Sequence, residues 1–239
     1  MNSEKLIVAL DYAYENEARE LVSQLGDTVS YYKVGLELFL NTRGSIIDYL
    51  KHKDKKVFLD LKFHDIPNTV AQAAAWAASF GVDMFTLHAS GGAEMMRTSV
   101  ENVSDICARM NIKMPQMVGV TILTSFDEAG IARVGYKDSI GDTVLNLAKL
   151  CQESNMRGVV CSPHEVAQIK QVCGSNFLTV CPGIRPVWAA KGDQKRITTP
   201  SDAIKIGVDY MVVGRPITKA KDPQEAAFKI VEEIGGVTE

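Results

Sequence analysis

Ten consecutive residues, Asp60-Leu61-Lys62-Phe63-His64-Asp65-Ile66-Pro67-Asn68-Thr69, hold two carboxylates, an ammonium and an imidazole within their first six positions. An ammonium fixed among carboxylates can stabilise a localised negative charge and deliver a proton to it. Side chains alternate along an extended segment, so Asp60 and Lys62 are expected on one face, with Asp65 beyond the turn that Pro67 helps define. Two plainer readings compete. Asp60 and Lys62 could form a structural ion pair, with Asn68 or Thr69 capping the next helix. Alternatively, Asp60, His64, Asp65 and His88 could hold a metal ion. Burying several charges at a strand end costs much desolvation unless they are paired, which favours a functional reading.

These side chains need a scaffold that brings them together. Short apolar runs recur at Leu6–Leu10, Tyr31–Val34, Val57–Leu59, Met84–Leu87, Met117–Thr121, Gly158–Cys161, Phe177–Val180 and Tyr210–Val213, which read as eight strands. Amphipathic or Ala-rich segments lie between them, at Glu15–Leu25, Leu38–Leu50, Val70–Phe80, Gly92–Met110, Ser139–Gln152, Pro163–Cys173 and Pro223–Ile234. Strand and helix alternating in this way predict an α/β fold, a parallel (β/α)8 TIM barrel, in preference to a doubly wound open sheet. Polar residues collect at or just after the strand ends, at Asp11, Lys33, Asp60, Lys62, His88, Thr124, Pro182 and Gly214–Arg215. Barrel enzymes place their chemistry on that rim, and the loop after the eighth strand frequently binds phosphate. The polar segment 182–200 lacks apolar periodicity and reads as a mobile lid.

Length and composition agree with one barrel. A chain of 239 residues with 46% apolar and 23% charged residues can bury a large core, and the span 1–239 is expected to be one domain. Its net charge of −3, without a basic block, argues against a nucleic-acid partner. The five cysteines, an odd number without C-x-x-C spacing, suggest reduced thiols in the cytoplasm. No apolar run approaches the roughly 20 residues needed to cross a bilayer, so no membrane association is expected. Trp76 is expected in the core, Trp188 on the surface, and Ser90-Gly91-Gly92 in a tight strand-to-helix turn.

The block Asp60–Thr69 resembles the signature of orotidine 5′-phosphate decarboxylases. Val8-Ala9-Leu10-Asp11, Lys33-Val34-Gly35, His88-Ala89-Ser90-Gly91-Gly92, Leu123-Thr124-Ser125, Pro182-Gly183-Ile184-Arg185-Pro186 and Val213-Gly214-Arg215-Pro216 resemble that family's other blocks, in its order. The resemblance implies conversion of orotidine 5′-phosphate to uridine 5′-phosphate and carbon dioxide, the last step of de novo UMP biosynthesis, with neither metal nor organic cofactor. It implies a network of Lys33, Asp60, Lys62 and Asp65 around the reacting carbon, with Lys62 protonating the carbanion. It further implies a homodimer in which Asp65, Ile66 and Thr69 enter the partner's site. By the same resemblance, Asp11 and Lys33 contact ribose and Thr124 reads the pyrimidine. Pro182, Arg185, Gln194, Gly214 and Arg215 then surround the phosphate. Related barrels with Asp-x-Lys-x-x-Asp use magnesium on sugar phosphates, and a catalytically silent barrel is the remaining alternative.

Overall fold

The computed structural model describes residues 2–189 and 198–237. Eight strands, β1 (Leu6–Ala9), β2 (Tyr31–Gly35), β3 (Lys56–Phe63), β4 (Met84–His88), β5 (Gln116–Val120), β6 (Gly158–Val160), β7 (Leu178–Pro182) and β8 (Tyr210–Val213), close in sequence order into a barrel. The ladders β1–β2, β1–β8, β2–β3, β4–β5, β5–β6 and β6–β7 are all parallel. The helices among the described residues are α1 (Glu15–Leu25), α2 (Leu36–Thr42), α3 (Ser45–His52), α4 (Pro67–Ser79), α5 (Gly92–Met110), α6 (Glu128–Arg133), α7 (Ile140–Glu153), α8 (Val166–Cys173), α9 (Pro200–Lys205), α10 (Arg215–Thr218) and α11 (Pro223–Gly235).

The predicted barrel is therefore present, with one change that concerns the site. The third strand runs to Phe63 and not only to Leu59, so Asp60 and Lys62 lie inside it. Its first half is apolar and buried and its second half is half-exposed, which is why apolar patterning ended the strand too early.

The chain forms two compact units, Met1–Asp60 with Cys181–Glu239, and Leu61–Val180. In the first, β1 is buried at all four positions, as a parallel strand covered on both faces must be. Helix α1 buries Ala18, Leu21, Val22 and Leu25, a spacing that places them on one side of a helix. Helix α11 does the same with Ala226, Ala227, Ile230 and Ile234, and its start is fixed by Pro223 and by the Asp222 carboxylate, which accepts the Glu225 N–H at 2.9 Å. The single helix expected over Leu38–Leu50 is two, because Arg43 (φ 51°) and Gly44 (φ 86°) are left-handed and terminate α2. Apolar spacing continues across that break, so periodicity could not reveal it.

In the second unit, Gly119 on β5 lets α7 approach closely: a β-carbon there would lie 2.3 Å from the Cys151 sulfur. That thiol is fully buried and 3.6 Å from the Met96 sulfur of α5. At Gly158 an added β-carbon would meet the Leu178 carbonyl of β7 at 2.2 Å, a backbone clash that no rotamer relieves. Trp76 departs from expectation: it is 37% exposed and stacks on Phe80, centroid to centroid 4.5 Å. The small side chains Ala71, Ala74, Ala77 and Ala78 take the buried face of α4 instead. Trp188 is exposed, as expected. The glycine turn is also as expected, a short 3-10 turn over Ala89–Gly91 leading to Gly92 at φ 87°.

Burial, and secondarily nearby Cys173, pushes the Cys151 thiol from 9.0 up to about 12. The unfolded chain ionises first as pH rises, so this contribution is complete below about 9 and disappears as pH approaches about 12. Across that window the unfolding free energy of the wild type should fall by about 1.4 kcal/mol per pH unit more than that of Cys151→Ala. Urea titrations at a series of pH values measure this, because the cavity in the variant lowers its baseline without changing its slope. Parallel slopes would refute the assignment.

Candidate active site

In the first unit the charges gather around Lys33, the central residue of β2. Its ammonium donates to the Asp11 carboxylate just after β1 at 2.9 Å and lies 3.7 Å from the Asp60 carboxylate on β3. The parallel register sets this up, with Lys33 opposite Phe58 and Gly35 opposite Asp60. The Lys33 and Asp60 side chains are 11% and 13% exposed, whereas that of Asp11 is 64% exposed. A cation so shielded from water persists only beside fixed anions. Gly35 provides room for it: a β-carbon there would sit 3.2 Å from the Lys33 nitrogen and 3.7 Å from an Asp11 oxygen. Gly214 after β8 gives similar clearance, its added β-carbon falling 3.6 Å from the other Asp11 oxygen.

Also in this unit, Arg215 is exposed at the start of α10, and Pro182 ends β7 half-buried. Arg185 is buried at 5% exposure, so its side chain is not displayed on the surface of a lid. Its N–H donates to the Thr198 carbonyl at 3.0 Å beside a bridge between Ile184 and Thr198, which ties together the two ends of the predicted lid. Gln194 lies outside the described residues.

In the second unit, Lys62 follows Asp60 by two positions on β3 but is not extended: its φ is 53°. The alternation argument therefore does not set its side-chain direction. A left-handed residue other than glycine costs roughly 1 to 2 kcal/mol. The Lys62 N–H donates to the Thr86 hydroxyl of β4 at 2.9 Å. Further on, Asp65, Ile66 and Thr69 are all exposed, Ile66 to 67%. The Asp65 carboxylate accepts the N–H of Ile66 at 2.7 Å, and α4 begins directly at Pro67. Asn68 and Thr69 are thus inside the first turn of α4 and do not cap it; the cap position is Ile66, which has no side-chain cap bond. Proline at the first helical position supplies a preset φ instead.

The His64 and His88 rings face each other at 5.2 Å, and His64 is exposed. Among the described residues no group of three or more His, Cys, Asp or Glu side chains is arranged to hold a metal ion. Thr124 is exposed in the turn after β5. Two contributors had little signal in the sequence. Thr86 sits in an apolar run where a β-branched residue reads as an ordinary strand former. The role of Gly35 depends on the path of the Lys33 side chain.

A parallel eight-stranded barrel with amine and acid side chains at its strand ends has the architecture of the β/α-barrel enzymes. Within that class, the chain belongs to the Orotidine 5'-phosphate decarboxylase / HUMPS family, whose model matches residues 4–230. An orotidine 5'-phosphate decarboxylase of Nostoc sp. is 45% identical over 98% of both chains. One from Carboxydothermus hydrogenoformans is 47% identical, also over 98% of both. The crystal structure of orotidine 5'-phosphate decarboxylase from Lactobacillus acidophilus matches with a TM-score of 0.85 and 37% identity, covering 96% of this chain and 98% of that one.

The unequal exposure of the two partners of Lys33 gives a measurable asymmetry. A double-mutant cycle of Lys33→Ala with Asp60→Asn should return a coupling energy above about 1 kcal/mol. The cycle with Asp11→Asn should return less than about 1 kcal/mol, although that contact is shorter, because water screens it. Equal couplings in urea unfolding would contradict this account.

Proposed function

We propose that this protein converts orotidine 5′-phosphate to uridine 5′-phosphate and carbon dioxide, as the last step of de novo UMP biosynthesis, with neither metal nor organic cofactor. The observation that carries this reading is family membership along nearly the whole chain combined with an ammonium, Lys33 of β2, held between Asp11 just after β1 and Asp60 of β3.

The bond between the pyrimidine ring carbon C6 and the carboxylate breaks, and its electron pair remains on C6. No neighbouring group can delocalise that charge, so a preorganised cation must stabilise it where it forms. In this reading Lys62 faces the developing carbanion and transfers an ammonium proton to it, giving the C–H bond of the product. The lysine is reprotonated from solvent after release. Lys33, Asp60 and Asp65 fix the position and charge state of Lys62.

Asp11 and Lys33 contact the ribose hydroxyls and Thr124 the pyrimidine edge. Pro182, Arg185, Gln194, Gly214 and Arg215 surround the phosphate, whose remote binding energy can drive closure of the lid. The protein acts as a cytoplasmic homodimer in which Asp65, Ile66 and Thr69 reach the partner's site. Exposure of all three in the single chain supports this, since a 67% exposed isoleucine beside an exposed carboxylate suits a surface that a second chain covers.

Purified protein mixed with orotidine 5′-phosphate in excess EDTA should consume substrate and release carbon dioxide. Lys62→Ala should lower kcat by about 10^3-fold or more. Activity restored only by magnesium, or confined to sugar phosphates, would replace this reading with that of a metal-dependent barrel.

A further inference from the structure

Five described residues other than glycine have a positive φ: Arg43, Asp54, Lys62, Asn111 and Asn155. Arg43 and Asn111 terminate α2 and α5, and Asp54 and Asn155 lie in the turns that follow α3 and α7. Left-handed residues are ordinary at such ends. Lys62 alone of the five lies within a β-strand, where no helix termination explains it.

A left-handed residue in a strand turns its N–H out of the regular ladder and leaves a donor to be satisfied. Here the acceptor is the Thr86 hydroxyl oxygen, at 2.9 Å. Thr86 is 0% exposed, so a protein group takes this bond where water could not readily replace it. The next residue along is also held, because the Phe63 ring packs on the buried Phe85 ring at 6.1 Å. An improbable backbone conformation is thus secured from two adjacent positions of β4.

We propose that Thr86 is a positioning residue for Lys62: its hydroxyl holds the Lys62 backbone in the left-handed conformation and so fixes the direction in which the ammonium leaves the strand. This deepens the proposed decarboxylase reading and rests on it for the catalytic consequence, though not for the backbone one. Returning Lys62 to an extended conformation redirects its side chain while leaving the groups around Lys33 in place. The loss should therefore fall on the chemical step and spare substrate binding.

Thr86→Val keeps the shape and removes the acceptor, Thr86→Ala removes acceptor and bulk, and Thr86→Ser keeps the acceptor. Thr86→Val and Thr86→Ala should both lower kcat for orotidine 5′-phosphate at least ~30-fold with KM within about threefold, while Thr86→Ser stays within about threefold of wild type. Hydrogen exchange at the Lys62 amide, followed by NMR with 15N-lysine labelling, should be at least ~10-fold faster in the first two variants and unchanged in the third.

An equal loss in Thr86→Ser, full kcat in Thr86→Ala, or unaltered Lys62 amide exchange in Thr86→Val would each overturn the proposal. Should wild type itself fail to turn over orotidine 5′-phosphate, the decarboxylase reading falls. The amide exchange then decides the role of Thr86 by itself.

Discussion

An ammonium with little access to water must have its counter-charges supplied by the fold, and the arrangement around Lys33 follows from that requirement. Lys33 is 11% exposed, and its neighbours Asp11 and Asp60 come from two other strands or their ends. Three charges can be held this closely only if the strands beneath them cannot shift. The fully buried β1 and the continuous β2–β3 register over Tyr31–Gly35 and Lys56–Asp60 provide that rigidity. Two glycines complete the arrangement, since a side chain at Gly35 or Gly214 would reach the space next to the Lys33–Asp11 contact. In β3 the buried Val57, Phe58 and Leu59 and the charged Asp60 that follows them are therefore one design: dispersion and burial fix the geometry that electrostatics needs.

How far this was legible in the sequence depends on the range of the signal. Strand identity came through because parallel strands covered on both faces are written as apolar runs, and Gly92–Met110 matched its helix end to end because its apolar spacing stops where Asn111 turns left-handed. The charged block on β3 stood out as a candidate site because such density of charge is costly without a use. What failed was local backbone geometry. Arg43 and Gly44 split a helix whose apolar spacing ran on, and Pro67 began α4 one or two residues before the polar side chains expected to cap it. Trp76 was misjudged because four alanines filled the buried face of its helix, leaving the large ring outside.

The conformation of Lys62 belongs to the same class of hidden feature, and it changes how the site is understood. In an extended strand, Asp60 and Lys62 would share a face by simple alternation. With φ at 53°, the direction of Lys62 is instead set by one strained residue and by what holds it. Strain of this kind survives only where surrounding contacts over-determine it, and here a buried hydroxyl and an aromatic contact on β4 adjoin the strained residue.

That trade bears on the proposed chemistry. A long, flexible lysine samples many rotamers, and each one away from the reacting carbon dilutes its effect. Conformational strain in the backbone cannot freeze the four-carbon stem, but it can fix where the stem begins and the axis along which it departs. In the proposed mechanism the anions of the network would restrict the charged end. Stabilising a localised carbanion without solvent rearrangement requires a preorganised cation of this kind. Asp65 and Ile66, exposed in the single chain, lie two and three residues beyond the end of β3, so the backbone conformation at Lys62 also bears on where the proposed contribution to a partner begins.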